Sequence, residues 1–124
     1  MIEAVFTTVQ SVEALLRAAV VFKFECQSES HLYAGSPQFA DGVHGLLNTI
    51  IQNYRESGDE RRAKNWEDLY VLDNPERFEF VRSYSKKHPK WNTMNDSDKK
   101  VWLDVVAAPY RIRQADYQLL LRRS

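Results

Sequence analysis

Phe39, Val43, Leu46, Leu47, Ile50, Ile51 and Tyr54 recur three and four positions apart, between the pair Ser36-Pro37 and Gly58. That spacing puts the apolar groups on one stripe of an α-helix and fits no strand alternation. Ser36 offers an oxygen to the free backbone N–H groups of a first turn, Pro37 presets the first helical φ, and Gly58 suits a left-handed stop. A long helix with one apolar face must lay that face on other elements. Its other side, Gln38, Gly42, Gly45, Thr49, Gln52 and Glu56, is flat and polar. Two glycines inside a helix weaken it by about 2 kcal/mol relative to alanine. Either another backbone comes close at Gly42 and Gly45, or the helix starts only after Gly45.

The remaining segments are helical in the same way. Thr7 and Gln10 have capping-box spacing, with Ser11 a competing start, and Val9, Val12, Leu16, Ala19 and Val20 follow at helical intervals. Beyond them VVFKFE is β-branched and aromatic, which suits a minor β element near residues 20–25 as well as a helix end. Asp59 caps a helix whose stripe is Ala63, Trp66, Leu69 and Tyr70. Asn74-Pro75 starts another, which runs through Phe78, Val81 and Tyr84 to a stop at His88-Pro89. Asn95 or Asp96 then caps a helix with Trp102, Val105 and Val106 inside. Asp96 and Asp98 complement the positive end of its dipole, and Lys99 and Lys100 point to water. After Pro109, the segment YRIRQADYQLLLRR reads as a last helix with Tyr110, Tyr117, Leu120 and Leu121 on one side and Ile112 and Leu119 nearly opposite. The expected fold is all-α, a bundle of five to six helices in one domain spanning residues 1–124.

A chain of 124 residues, 44% hydrophobic and 27% charged, has the size and composition to bury one ordinary core. Cys26 is the single cysteine, so neither an internal disulfide nor a multi-cysteine zinc site can form, which points to a reducing compartment. The apolar run AAVVF, Ala18 to Phe22, falls far short of the roughly 20 residues a bilayer span needs, and MIEAVFTTVQSVEALLR lacks the basic start of a secretory signal. A cytoplasmic protein without membrane contact is expected. Net charge is zero, but residues 1–81 hold seven Lys/Arg against thirteen Asp/Glu, and residues 82–124 hold ten against four. Such asymmetry suits attraction between the halves, self-association or an acidic partner.

Catalytic chemistry finds no footing. The neighbours Glu67 and Asp68 face different directions on a helix, and Asp96 and Asp98 are accounted for by capping. Asp96, Asp98 and Lys100 break the ligand ladder of a calcium loop. His31, His44 and His88 stand too far apart in sequence for a helical metal pair, and a lone Cys26 reads as a small packed thiol. Gly42 to Gly45 matches a GxxG pattern without the basic neighbours of a nucleotide clamp. Asn95-Asp96-Ser97 is a glycosylation acceptor that serves only a secreted chain. No catalytic residue, metal or cofactor is expected, and the protein is read as a non-enzyme.

The stretch FVRSYSKKHPKW, then DSDKKVW and ADY, between Phe80 and Tyr117, resembles the HMG box in its basic His-Pro turn and its acid-capped helix carrying Lys-Lys-aromatic. In that family a whole helix separates the turn from the tryptophan, whereas Trp91 follows almost directly here, so no DNA-contacting residue is transferred.

Trp, Tyr and Arg dominate interface energetics, and Trp91, Tyr110, Arg111, Arg113 and Tyr117 gather them near one end. They are the expected partner-binding residues of a helical protein-interaction module, a regulator or inhibitor. Trp91, in a polar turn outside every helical stripe, is expected at the surface. The alternative is a nucleic-acid-binding or transcription-regulatory protein using Arg82, Lys86, Lys87, Lys90, Lys99 and Lys100 on phosphates. A last helix apolar on two faces suggests a homodimer.

Overall fold

The computed structural model describes residues 5–26 and 32–122. Their full-length helices are α1 (Val9–Glu25), α2 (Pro37–Glu56), α3 (Glu60–Leu69), α4 (Pro75–Ser85), α5 (Asp96–Ala107) and α6 (Gln114–Leu121); residues 32–34 are also helical, and Trp91–Thr93 form a 3-10 turn. The protein is all-α. None of these helices is long and apolar enough to cross a membrane.

Capping chemistry sets most helix starts. Ser36, Asp59 and Asn95 each accept a backbone N–H from three residues on, and Asn74 accepts from both Glu76 and Arg77. At α1 the cap is Thr8, one residue later than the Thr7–Gln10 box, with its hydroxyl accepting from Ser11 N–H at 3.3 Å. Gly58, at φ 83°, takes the left-handed step between α2 and α3.

α2 is the hub, packing on α1, α3 and α5, while α4 lies against α5 and α5 touches α6. Buried side chains from all six helices join in one cluster. Residues 20–25 are helical, not a β element: Val20, Lys23 and Phe24 are all buried, with the Phe24 ring 5.0 Å from Phe80 and 5.4 Å from Tyr110. Contacts at i, i+3 and i+4 outweigh a weak local preference for strand.

α2 runs through both internal glycines, and neither meets a neighbour where a Cβ would sit, so no backbone approaches there. The close approach is at Gly35 instead, where a Cβ would lie 2.5 Å from the Trp102 indole. The stripe expected at α3 holds except at one position: Ala63, Trp66 and Tyr70 are buried, but Leu69 turns to solvent.

Lys23 is 0% exposed. Its ammonium donates to the carbonyls of Val105, 3.0 Å, and Ala108, 2.8 Å, closing the C-terminal end of α5 where carbonyls lack helical partners. Burial pushes its pKa down to about 7. Immediately beyond, the Ala108–Pro109 bond is cis, Tyr110 closes a turn with its N–H on Ala107 O at 2.9 Å, and the non-helical residues 111–113 follow, with Arg113 extended. Arg111 N–H donates to Tyr70 O at 2.8 Å and Leu72 N–H to Arg111 O at 2.9 Å, a parallel bridge between Val71 and Arg111. The last helix therefore begins at Gln114, later than its sequence pattern, and Tyr110 and Ile112 do not share its wheel. Ile112 is buried by the bridge, leaving Leu119, 46% exposed, as the large exposed apolar group on α6. The two-faced helix expected from sequence is not formed.

Candidate functional site

A cleft of about 420 Å³ opens where α2, the end of α3, the end of α5 and the extended segment converge. Its floor is apolar, made by Leu47 and Ile51 of α2 with Pro109 and Ile112, all buried. Tyr70, Tyr110 and Tyr117 wall it, and His44, Glu67, Asp104 and Arg111 ring it with polar groups. An apolar recess with a few convergent polar groups is the usual form of a binding site, and sites of this kind span about 300–1,000 Å³.

Each wall has a local cause. The Val71–Arg111 bridge fixes the extended segment against the end of α3, which brings Tyr110 and Tyr70 rings to 5.3 Å. Tyr110 also packs edge-on against Phe24. Tyr117, on the first turns of α6, donates its hydroxyl to the Asp104 carboxylate of α5. Burial, then that hydrogen bond and the carboxylate's charge, push the Tyr117 phenol above its ordinary pKa, so it stays a neutral donor. Burial also raises Tyr70. At His44, partial shielding from water and then the Lys23 charge lower the imidazole pKa, against the opposing pull of Asp104 and Asp41. These effects favour the neutral form of the imidazole.

The rim charges are unevenly committed. Arg55 pairs with both Glu60 and Glu67, so the Glu67 carboxylate already has a cation. Asp104 already holds the Tyr117 hydroxyl. Arg113, on the same extended segment, pairs with Asp73 at 3.3 Å. Arg111 is exposed and makes no side-chain ion pair among the described residues. Lys100 lies over the Tyr117 ring at 5.6 Å.

Three of the five residues singled out from sequence, Tyr110, Arg111 and Tyr117, thus line one cleft, and Arg113 stands beside it. Trp91 does not. It is 4% exposed and belongs to the core, with the Lys99 ammonium 4.8 Å from its ring. The turn that looked polar in sequence folds its indole inward because the 3-10 geometry, with Trp91 N–H on His88 O, points it at the bundle. Lys99 follows it and is 7% exposed, so it does not face water as its helix position suggests.

The basic set is likewise divided. Arg82 is held by Glu79 at 2.6 Å, Lys99 and Lys100 lie on aromatic rings, and Lys87 and Lys90 are exposed near the turn. Lys86, half-buried, ends α4. His44, Leu47, Ile51, Glu67 and Asp104 carried no site signal in sequence, because only tertiary packing brings α2, α3 and α5 together. His31 lies outside the described residues. Cys26 is partly exposed at the end of α1, and no group of His, Cys, Asp or Glu among the described residues is arranged to hold a metal ion.

No protein-family model, no curated protein and no solved structure matches this chain.

Proposed function

We propose that this protein is an interaction module, a regulator or inhibitor that works without chemistry of its own and grips a partner protein through the tyrosine-walled cleft. The observation that carries this reading is the convergence of Tyr110, Tyr117 and the uncommitted Arg111 on one apolar recess. Tyr and Arg at a desolvated centre are the residue types that supply most binding energy at interfaces. The cleft is held by the two hydrogen bonds of the Val71–Arg111 bridge and by packed helix ends, which lowers the ordering cost of binding.

Affinity capture from native lysate tests it, with the wild type beside Arg111→Glu and Lys90→Glu. A protein held by the wild type and by Lys90→Glu, and released by Arg111→Glu, supports the cleft as the contact. An identical set of proteins on all three chains overturns it. Phosphate binding by the basic residues is the competing reading, and retention on heparin that falls steeply with salt and is weakened by Lys90→Glu would support that instead. Self-association through α6 would have Leu119 as its apolar contact, and an unchanged solution mass for Leu119→Asp would remove it.

A further inference from the structure

A second groove, of about 300 Å³, lies among α1, the end of α3 and the first turn of α4. Val20 and Val21 of α1, Leu69 of α3 and the Tyr70 and Tyr110 rings give it apolar walls, and Val21 and Leu69 stand 46% and 57% exposed there. Its charged lining among the described residues is two guanidiniums, Arg17 and Arg77, and no carboxylate. Each guanidinium is seated on a ring, with Arg17 Cζ 5.2 Å from the Trp66 centroid and Arg77 Cζ 5.1 Å from that of Phe24. Stacking uses a flat face and leaves the in-plane N–H groups for an acceptor. Arg17 has no ion pair or side-chain hydrogen bond among the described residues. Arg77 has Glu25 at 3.7 Å, beyond hydrogen-bond reach, and that carboxylate is itself exposed. Two guanidiniums against one carboxylate leave one positive charge unmatched. Tyr70 adds a donor: it is 5% exposed, and its hydroxyl has no hydrogen-bond partner among the described residues. Burial and then Tyr110 raise the Tyr70 phenol against the pull of Arg17 and Arg77, so it stays protonated and both arginine charges reach it.

We propose that this groove binds a small carboxylic acid with an apolar body, its carboxylate held by Arg17 and Arg77 and its hydrocarbon chain laid on Val21, Leu69 and the Tyr110 ring. A guanidinium grips a carboxylate through two parallel charge-assisted hydrogen bonds. A monoanion matches the single unmatched charge, whereas a phosphate dianion exceeds it and sets a third polar oxygen against apolar walls. The volume is at the lower end of the range for small-molecule sites. The groove shares Tyr70 and Tyr110 with the larger cleft but none of its charged residues, so one variant of each tells the two apart.

The test titrates the full chain, labelled with nitrogen-15, with octanoate, octanamide, acetate and inorganic phosphate. Octanoate is expected to move the amide signals of Val21, Leu69 and Arg77 in a saturable way. The other three are expected to bind at least about tenfold more weakly, the effect of losing the charged hydrogen bonds, the apolar body or the fit of charge. Arg17→Gln and Leu69→Asp, both at exposed positions, should each weaken octanoate by about the same factor, and Arg111→Gln should leave it unchanged. Equal binding of octanamide overturns the proposal, because the groove would then only adsorb hydrocarbon. Tighter binding of phosphate than of octanoate overturns it too, as do an unchanged affinity in Arg17→Gln, a loss in Arg111→Gln that places the ligand in the larger cleft, or no saturable shift at several millimolar octanoate.

Discussion

Two stretches of the basic half begin alike and end differently. His88-Pro89 leads within two residues to Trp91, and Ala108-Pro109 leads at once to Tyr110 and Arg111. Each combines a proline, an aromatic ring and cations. The first is sealed: Trp91 is in the core, His88 sits edge-on to the Trp102 ring at 4.8 Å, and the Trp102 indole N–H donates to Ser85 O at 3.1 Å. The second is open, with Tyr110 half-buried and Arg111 facing water over a cleft. What separates them is the backbone around the ring. A 3-10 turn followed at once by the Asn95 cap folds the first stretch back on the bundle, whereas the bridge to Val71 holds the second extended. Aromatic and basic content therefore does not mark an interface by itself. The direction in which the local backbone aims the ring does.

Replacing Trp91 with alanine is the strongest way to break this contrast. It should destabilise the fold by about 3–5 kcal/mol, the usual cost of emptying a packed tryptophan site, as read from urea denaturation. A change under about 1 kcal/mol would show that the first stretch is as peripheral as the second.

Lys23 anchors the helix end just ahead of the open stretch, and its titration reads how firmly that anchor is buried. Its pKa is lowered from 10.5 to about 7 in the folded chain. Below pH 7 both folded and unfolded chains carry the proton. Between about pH 7 and 10.5 the unfolded chain holds a proton that the folded chain has released, so stability climbs with pH. The climb is at most about 1.4 kcal/mol per pH unit. Lys23→Met should flatten it across that window. A wild-type curve that is already flat there would mean the ammonium is hydrated.

Gly35 tests the seat of the sealed stretch, since a Cβ there would press on Trp102. Gly35→Ala should cost about 1–3 kcal/mol by overpacking, while Gly42→Ala, with open space around it, should stabilise α2 by somewhat under 1 kcal/mol. Thermal unfolding of the two variants side by side gives the sign of each. The smallest effect belongs to the open stretch: Arg111→Ala should leave stability within about 0.5 kcal/mol of wild type, as exposed positions do. A larger loss would place Arg111 in the scaffold and sharpen the contrast in the opposite direction.

The helices were legible because their signals are local. Ser36-Pro37, Asn74-Pro75 and Asn95 satisfy backbone groups within three residues, and the apolar stripe of α2 needs only the helical period to be recognised. The cleft was legible in part. Tyr110, Arg111 and Tyr117 stand close in sequence and line it, but the α2, α3 and α5 residues opposite them are brought in by packing over long separations. Trp91 misled because a short polar turn gives no periodicity from which burial can be read.

The amino-acid order by itself determined the helical class, most of the caps and the apolar stripes, since each depends on hydrogen bonds and side-chain spacing within a few residues. Only the tertiary structure decided which rings are covered and which stay open. That outcome depends on neighbours distant along the chain: Phe24 and Tyr70 against Tyr110, Gly35 against Trp102, and the Lys23 ammonium on the last carbonyls of α5.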